Sequence, residues 1–196
     1  MANEAQKLDR RWVVKTLLSD RRDLLVVTGP GAPAYDTAAL EDHPCNFYLW
    51  NALGSSAMVG LGLALAQPSL PVVVITGDGD MLMGMGGLAT IAVQKPTNLA
   101  IVVLDNERYG ETGMQESHSA FGVDLAAIAS DCGFPMSSTL TEKSEVTSLA
   151  TKLHANEGPL FANIKVKAED LSRVLPPRDG TFLRSRFRSA ILGEDT

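Results

Sequence analysis

The stretch Val72-Val73-Val74-Ile75-Thr76-Gly77-Asp78-Gly79-Asp80 decides the fold. Four consecutive β-branched residues without polar alternation read as a strand buried on both faces, and Gly-Asp-Gly-Asp ends it abruptly. Apolar periodicity then predicts a helix from about Met81 to Gln94. Downstream, Leu99 to Leu104 is a second buried strand, closed by Asp105-Asn106. The interval from residue 80 to 104 accommodates one helix and one strand. A crossover of that length returns the chain to the same edge of a sheet and sets Asn106 beside Asp78.

The same alternation extends outward. Leu8, Trp12, Val13, Leu17 and Leu18 mark one face of a helix over residues 8–19, and Leu24-Leu25-Val26-Val27 is a strand that stops at Thr28-Gly29-Pro30-Gly31. A short strand fits Asn46 to Trp50, and a buried helix runs between Gly54 and Gln67, where Gly60 and Gly62 permit close packing and Pro68 ends it. Further helices are expected near residues 124–131 and 142–156, followed by a strand from Leu160 to Val166. Strands alternating with helices predict a doubly wound α/β fold: a mostly parallel sheet, helices on both faces, ligands at the carboxyl ends of the strands.

With 196 residues, 45% of them apolar, the chain suits a single domain over 1–196, with a basic tail from about 168 to 196 that holds Arg173, Arg178, Arg184, Arg186 and Arg188 around Pro176-Pro177. That tail is expected to pack on the surface or on a partner. A formal charge of −6 argues against nucleic acid or an anionic membrane as the main partner. Cys45 and Cys132 form no CxxC pair and read as reduced, partly buried thiols. The N-terminus lacks an apolar leader and no run approaches the roughly 20 residues of a membrane span, so a cytoplasmic protein is expected.

A diphosphate held at a strand end requires glycines for close backbone approach and a divalent cation with oxygen ligands. Gly77, Asp78 and Gly79 supply the local parts, and Asn106 a second oxygen. The bland alternatives are a helix-capping Asp78 and an Asn106 tolerated in a tight turn.

Gly-Asp-Gly followed after about 25 residues by Asp-Asn resembles the signature of the thiamine diphosphate-dependent decarboxylase superfamily, in its pyrophosphate-binding domain. The length and the run Leu104-Asp105-Asn106-Glu107-Arg108-Tyr109-Gly110-Glu111-Thr112-Gly113-Met114-Gln115 are similar in particular to β subunits of sulfopyruvate decarboxylases and to phosphonopyruvate decarboxylases. The resemblance implies thiamine diphosphate and Mg²⁺ as cofactors. It makes Asp78, the Asn106 side chain and the Arg108 backbone carbonyl the metal ligands, and sets Gly29 and Gly31, Gly77 to Asp80, Tyr109 and Gly110 against the cofactor. It also implies that Leu53 wedges the bent cofactor while the Asn51 carbonyl accepts from its 4′-amine, although Asn51 replaces the family's usual glycine. Ordinary core packing is the alternative for Leu53. His118, as proton donor, and Gln115 are the catalytic candidates on the following loop; a solvated loop histidine is the alternative.

The family's remaining requirement is a glutamate on a separate pyrimidine-binding domain. The resemblance therefore implies an α subunit that supplies it, an α/β hetero-oligomer, and a small 2-oxo acid that loses CO₂ to give an aldehyde. Arg108, His118 and the C-terminal arginines are the cations available for an anionic substrate. Two other readings remain: a β subunit of a 2-oxo acid:ferredoxin oxidoreductase, which shares the Gly-Asp-Gly-Asp segment, and a non-catalytic thiamine diphosphate-binding module.

Overall fold

The computed structural model describes residues 7–193; the first six residues of the N-terminus and the last three of the basic tail lie outside the described residues. Five parallel pairings assemble a six-stranded sheet in the order β2-β1-β3-β4-β8-β7, formed by β1 (Leu25–Thr28), β2 (Asn46–Tyr48), β3 (Val72–Gly77), β4 (Leu99–Asp105), β7 (Met136–Leu140) and β8 (Leu160–Lys165). The four inner strands read as continuous apolar runs because both sheet faces are covered. Alternate residues of each strand enter opposite cores. Val26, Val73, Ile75, Val102 and Leu104 pack with α1 (Arg10–Leu17) and α7 (Lys143–Lys152) on one side. Val27, Val74, Ile101 and Val103 pack with α3 (Ser56–Ala66), α5 (Gly87–Gln94) and α6 (Leu125–Cys132) on the other.

The β3–β4 register pairs Gly77 with Leu104, so it is Asp105 that comes opposite Asp78; Asn106, which the crossover argument set beside Asp78, follows one position on and lines the same cavity. The connection itself departs from the expected single helix. It begins at Asp78 as α4 (Asp78–Met83) and restarts as α5 after a break at Gly84 to Gly86. Gly84 lies against the Gly54 carbonyl so closely that a Cβ could not be accommodated, and a continued helix would have to carry the backbone through that contact.

Besides that break, four features were not foreseen, the first being the edge strand β7. A short helix, α2 (Ala32–Ala38), follows the β1 loop with Pro33 in its first turn. The polar loop after β4 folds into an antiparallel hairpin of β5 (Arg108–Tyr109) and β6 (Gln115–Glu116). The basic tail packs on the domain's own surface, one of the two expected arrangements, but as a strap leading into an unforeseen 13-residue helix, α8 (Gly180–Leu192), capped by Asp179 and packed on β2 through Phe187 against Phe47. Buried Arg10 pairs with Asp36 and donates to the Glu169 carbonyl, while Arg11 donates to the Ser172 carbonyl, so α1 ties the strap down. Among the described residues no helix is long and apolar enough to cross a membrane.

Candidate functional site

The chain leaves β1 toward β2 on one side and returns to β3 on the other, which opens a crevice at the carboxyl ends of β1 and β3. A cavity sits there. Its wall brings together Gly31, Leu53, Gly77, Asp78, Gly79, Asp80, Asn106, Arg108, Tyr109 and Gly110, gathered from four separate segments.

Asp78 is only 2% exposed and accepts hydrogen bonds from the hydroxyls of Ser117 and Ser119. Burial lifts its carboxyl from the ordinary 3.8 to about 6; the Ser117 bond opposes that rise and the nearby Asp105 adds to it. Ser119 also donates to Asp105 at 2.8 Å, and Asp105 takes bonds from Asn163 at 2.9 Å and the Lys165 ammonium at 2.7 Å. Burial alone would lower the Lys165 pKa, but its contacts with Asp105 and Glu107 raise it. Lys165 thus neutralises Asp105, while Asp78 is held by two hydroxyls and its own backbone N–H and forms no ion pair among the described residues. A buried carboxylate of that kind fits a cation.

The donor set suits Mg²⁺. Asn106 turns its amide oxygen to the Arg108 N–H at 2.9 Å, which leaves a further lone pair on that oxygen. Carboxylate, amide and carbonyl oxygens are hard ligands. No cluster of three or more His, Cys, Asp or Glu suited to a metal occurs among the described residues, so an ion here would need oxygens from a ligand or water. Beside Asp78, a Cβ on Gly79 would come within 2.6 Å of the Tyr109 ring, so only glycine lets the hairpin close over this turn. The first turn of α4 carries no side-chain cap.

Leu53 is not a core leucine: it is 48% exposed and lies on the cavity wall. Asp80 holds it there. Although Asp80 lines the same cavity, its carboxylate accepts from the Gly54 N–H and from the hydroxyls of Ser56 and Thr76, which makes it a brace for the Leu53-Gly54 turn. Gly54 has φ +86°, a conformation glycine adopts without strain.

Other expected residues lie elsewhere. Gly29 is outside the wall; a Cβ there would meet the Thr76 hydroxyl at 2.5 Å, so its glycine serves strand packing. Asn51 is exposed and outside the wall. Gln115 is also exposed and bonds back to Thr112, and exposed His118 places Nδ1 3.2 Å from the Tyr109 hydroxyl. Sequence reasoning missed Ser117 and Ser119, whose roles arise from the hairpin that carries them back to Asp78. It also missed Arg10, Tyr35, Glu111 and Glu169 to Leu171 along the wall, while Arg173, one of the C-terminal arginines offered for an anionic substrate, does line the cavity. Arg173 lies 5.8 Å from the centre of the Tyr35 ring and 3.8 Å from a Glu111 carboxylate oxygen.

Residues 34–164 match the family model described as thiamine pyrophosphate enzyme, C-terminal TPP binding domain. Sulfopyruvate decarboxylase subunit beta of Methanothermobacter thermautotrophicus is 34% identical over 95% of this chain and 97% of its own length. Phosphonopyruvate decarboxylase of Streptomyces viridochromogenes is 39% identical over 87% of this chain but only 43% of its own length. Among solved structures, benzoylformate decarboxylase from Polynucleobacter necessarius superposes with a TM-score of 0.73 at 20% identity, over 85% of this chain and 34% of that one.

Proposed function

The chain belongs to the thiamine pyrophosphate enzymes, matching their C-terminal cofactor-binding domain, and from that premise we propose that it is the β subunit of a Mg²⁺-dependent 2-oxo acid decarboxylase of the sulfopyruvate or phosphonopyruvate type. Its site of action would be the cytoplasm. The observation that carries this reading is the buried carboxylate of Asp78, bonded by two serines, without an ion-pair partner among the described residues, in a cavity shared with Asn106.

In this reading Asp78, the Asn106 side chain and the Arg108 carbonyl would hold Mg²⁺, which would offset the charge of the cofactor's diphosphate. Gly79, Gly31, Tyr109, Gly110 and Leu53 line the same cavity; the first four would lie against the diphosphate and Leu53 against the cofactor's rings. When bound, the cofactor supplies the electron sink for loss of CO₂ from the 2-oxo acid. The protein supplies placement and charge. His118, bonded to Tyr109, is the candidate proton donor at the outer edge of the hairpin. Arg173, which lines the cavity over the Tyr35 ring with a long contact to Glu111, can turn toward a sulfonate or phosphonate; Arg108 is already bonded to Glu116 at 3.1 Å and to the Glu107 carbonyl.

The glutamate that activates the cofactor's pyrimidine ring would come from an α subunit in an α/β hetero-oligomer. Support comes from the relative termed a beta subunit, which this chain matches over nearly its full length. Calorimetric titration of thiamine diphosphate into the assembled enzyme tests the ligand assignment: with Mg²⁺ present, Asp78→Ala and Asn106→Ala should abolish the binding heat. Unchanged affinity in either variant would sink it.

A further inference from the structure

Asn106 sits in sequence between two carboxylates, Asp105 and Glu107, and one ammonium reaches both. Lys165 ends β8 opposite Asp105 in the sheet register and places Nζ 2.7 Å from the Asp105 carboxylate and 3.0 Å from that of Glu107. A second ammonium, on Lys7, meets the other Glu107 oxygen at 2.9 Å. Both lysines stand on pinned backbone, because Leu8 donates to the Lys165 carbonyl and accepts from the Lys167 N–H. An isolated surface ion pair contributes little, but these side chains are 3% (Lys7), 18% (Lys165) and 24% (Glu107) exposed and form one network.

The network closes on a residue whose backbone needs holding. Glu107 has φ +61°, a left-handed conformation in which Cβ crowds the following carbonyl and which glycine adopts without that penalty. The same turn aims the residues assigned to the metal. Asp105 Oδ1 accepts the Glu107 N–H at 3.1 Å, the Asn106 amide oxygen accepts the Arg108 N–H at 2.9 Å, and the Glu107 carbonyl accepts the Ser117 N–H at 3.0 Å. Rotating residue 107 into the right-handed region would swing the Arg108 carbonyl away from its place beside Asn106. It would also carry off the hairpin that returns Ser117 and Ser119 to Asp78.

We propose that Lys165, assisted by Lys7, is a positioning residue for the metal site: it clamps Glu107 in the left-handed conformation that directs the Asn106 amide oxygen and the Arg108 carbonyl to one ion. The proposal rests on the functional reading above and deepens it. Neither lysine lines the cavity, and neither does Glu107, so the clamp acts through the turn and not by contact with metal or cofactor. A glutamate tied at its far end thereby holds a conformation that its own Cβ disfavours.

The test compares Glu107→Ala with Glu107→Gly in the assembled enzyme, by calorimetric titration of thiamine diphosphate at fixed Mg²⁺. Measurement well below each variant's thermal transition keeps a loss of global stability from registering as a loss of affinity. Alanine loses both ion pairs and keeps the Cβ; glycine loses both and needs no clamp. Glu107→Ala should weaken binding roughly tenfold, and Glu107→Gly should recover most of that loss. Lys165→Met should weaken binding when Glu107 is present and do so much less in the Glu107→Gly background. Should Lys165→Met fail to fold, the alanine and glycine variants decide alone; Glu107→Gln takes the place of an alanine variant that does not fold. Equal losses with alanine and glycine, or wild-type affinity with alanine, would overturn the proposal. Failure of the functional reading shows instead in the wild type, which would bind no thiamine diphosphate at any Mg²⁺ concentration.

Discussion

Replacing Asp78 with asparagine should stabilise the metal-free chain while destroying its cofactor site. The carboxyl is 2% exposed, and burial lifts it from 3.8 to about 6. A folded-state pKa above the unfolded one favours the neutral form, so the stability associated with protonated Asp78 is full below pH 3.8 and lost as pH rises through 6. At pH 7.5 the ionised carboxylate costs the folded chain about 3 kcal/mol relative to a neutral group of the same shape; at pH 4.5 the difference shrinks to about 1 kcal/mol. Asparagine keeps an acceptor oxygen for the hydroxyls of Ser117 and Ser119. For a chain of this length 3 kcal/mol corresponds to a rise in Tm of about 6–12 °C. Thermal unfolding of both proteins without Mg²⁺ at pH 7.5 and 4.5 reads this directly. Adding Mg²⁺ and thiamine diphosphate should then raise the wild type through linkage and leave the variant unmoved. An Asp78→Asn chain less stable than wild type at pH 7.5 without metal, or one equally stabilised by the cofactor, would refute the reasoning.

Two further outcomes follow from the same geometry. Ser119→Ala removes the hydroxyl bridging Asp78 and Asp105 at 3.2 and 2.8 Å, and should cost about 1–3 kcal/mol in urea unfolding and weaken Mg²⁺-dependent cofactor binding by calorimetry, with Ser119→Thr retaining more of both. Asp36→Ala leaves buried Arg10 without its carboxylate and should destabilise the chain by about 3–5 kcal/mol, with faster proteolysis of the strap at 167–179; an intact strap would show that Arg10 and Arg11 do not anchor it.

Much of the fold was legible because its signals are local. The continuous runs at Leu24 to Val27, Val72 to Ile75 and Leu99 to Leu104 can be satisfied only as strands buried on both faces, and each became an inner strand of the parallel sheet. The interval between Asp78 and Asn106 fixed their adjacency for the same reason. What escaped depends on contacts distant in sequence. The contact of Gly84 with the Gly54 carbonyl is distant in sequence, but the helix break at 84–86 had a local signal that the reading passed over, the glycines at 84, 86 and 87. The strand Met136–Leu140 lies at the sheet edge with Ser138 and Thr139 exposed, and lacks the apolar run that revealed the inner strands. Ser117 and Ser119 reach Asp78 across about 40 positions of sequence, through a hairpin of two-residue strands with no periodicity to detect. The arginines of the tail drew the sequence reading to its charge, whereas buried Leu183 and Phe187 on α8 seat it as a helix against β2.

The central claim is that this chain holds the metal and diphosphate end of the cofactor while a second polypeptide activates the pyrimidine ring. The most direct test is CO₂ release from sulfopyruvate and phosphonopyruvate by the purified chain with Mg²⁺ and thiamine diphosphate, before and after addition of the pyrimidine-binding subunit. The account predicts no turnover from the chain alone and decarboxylation of one of these acids once the partner is added. Sustained decarboxylation by the chain alone would contradict it.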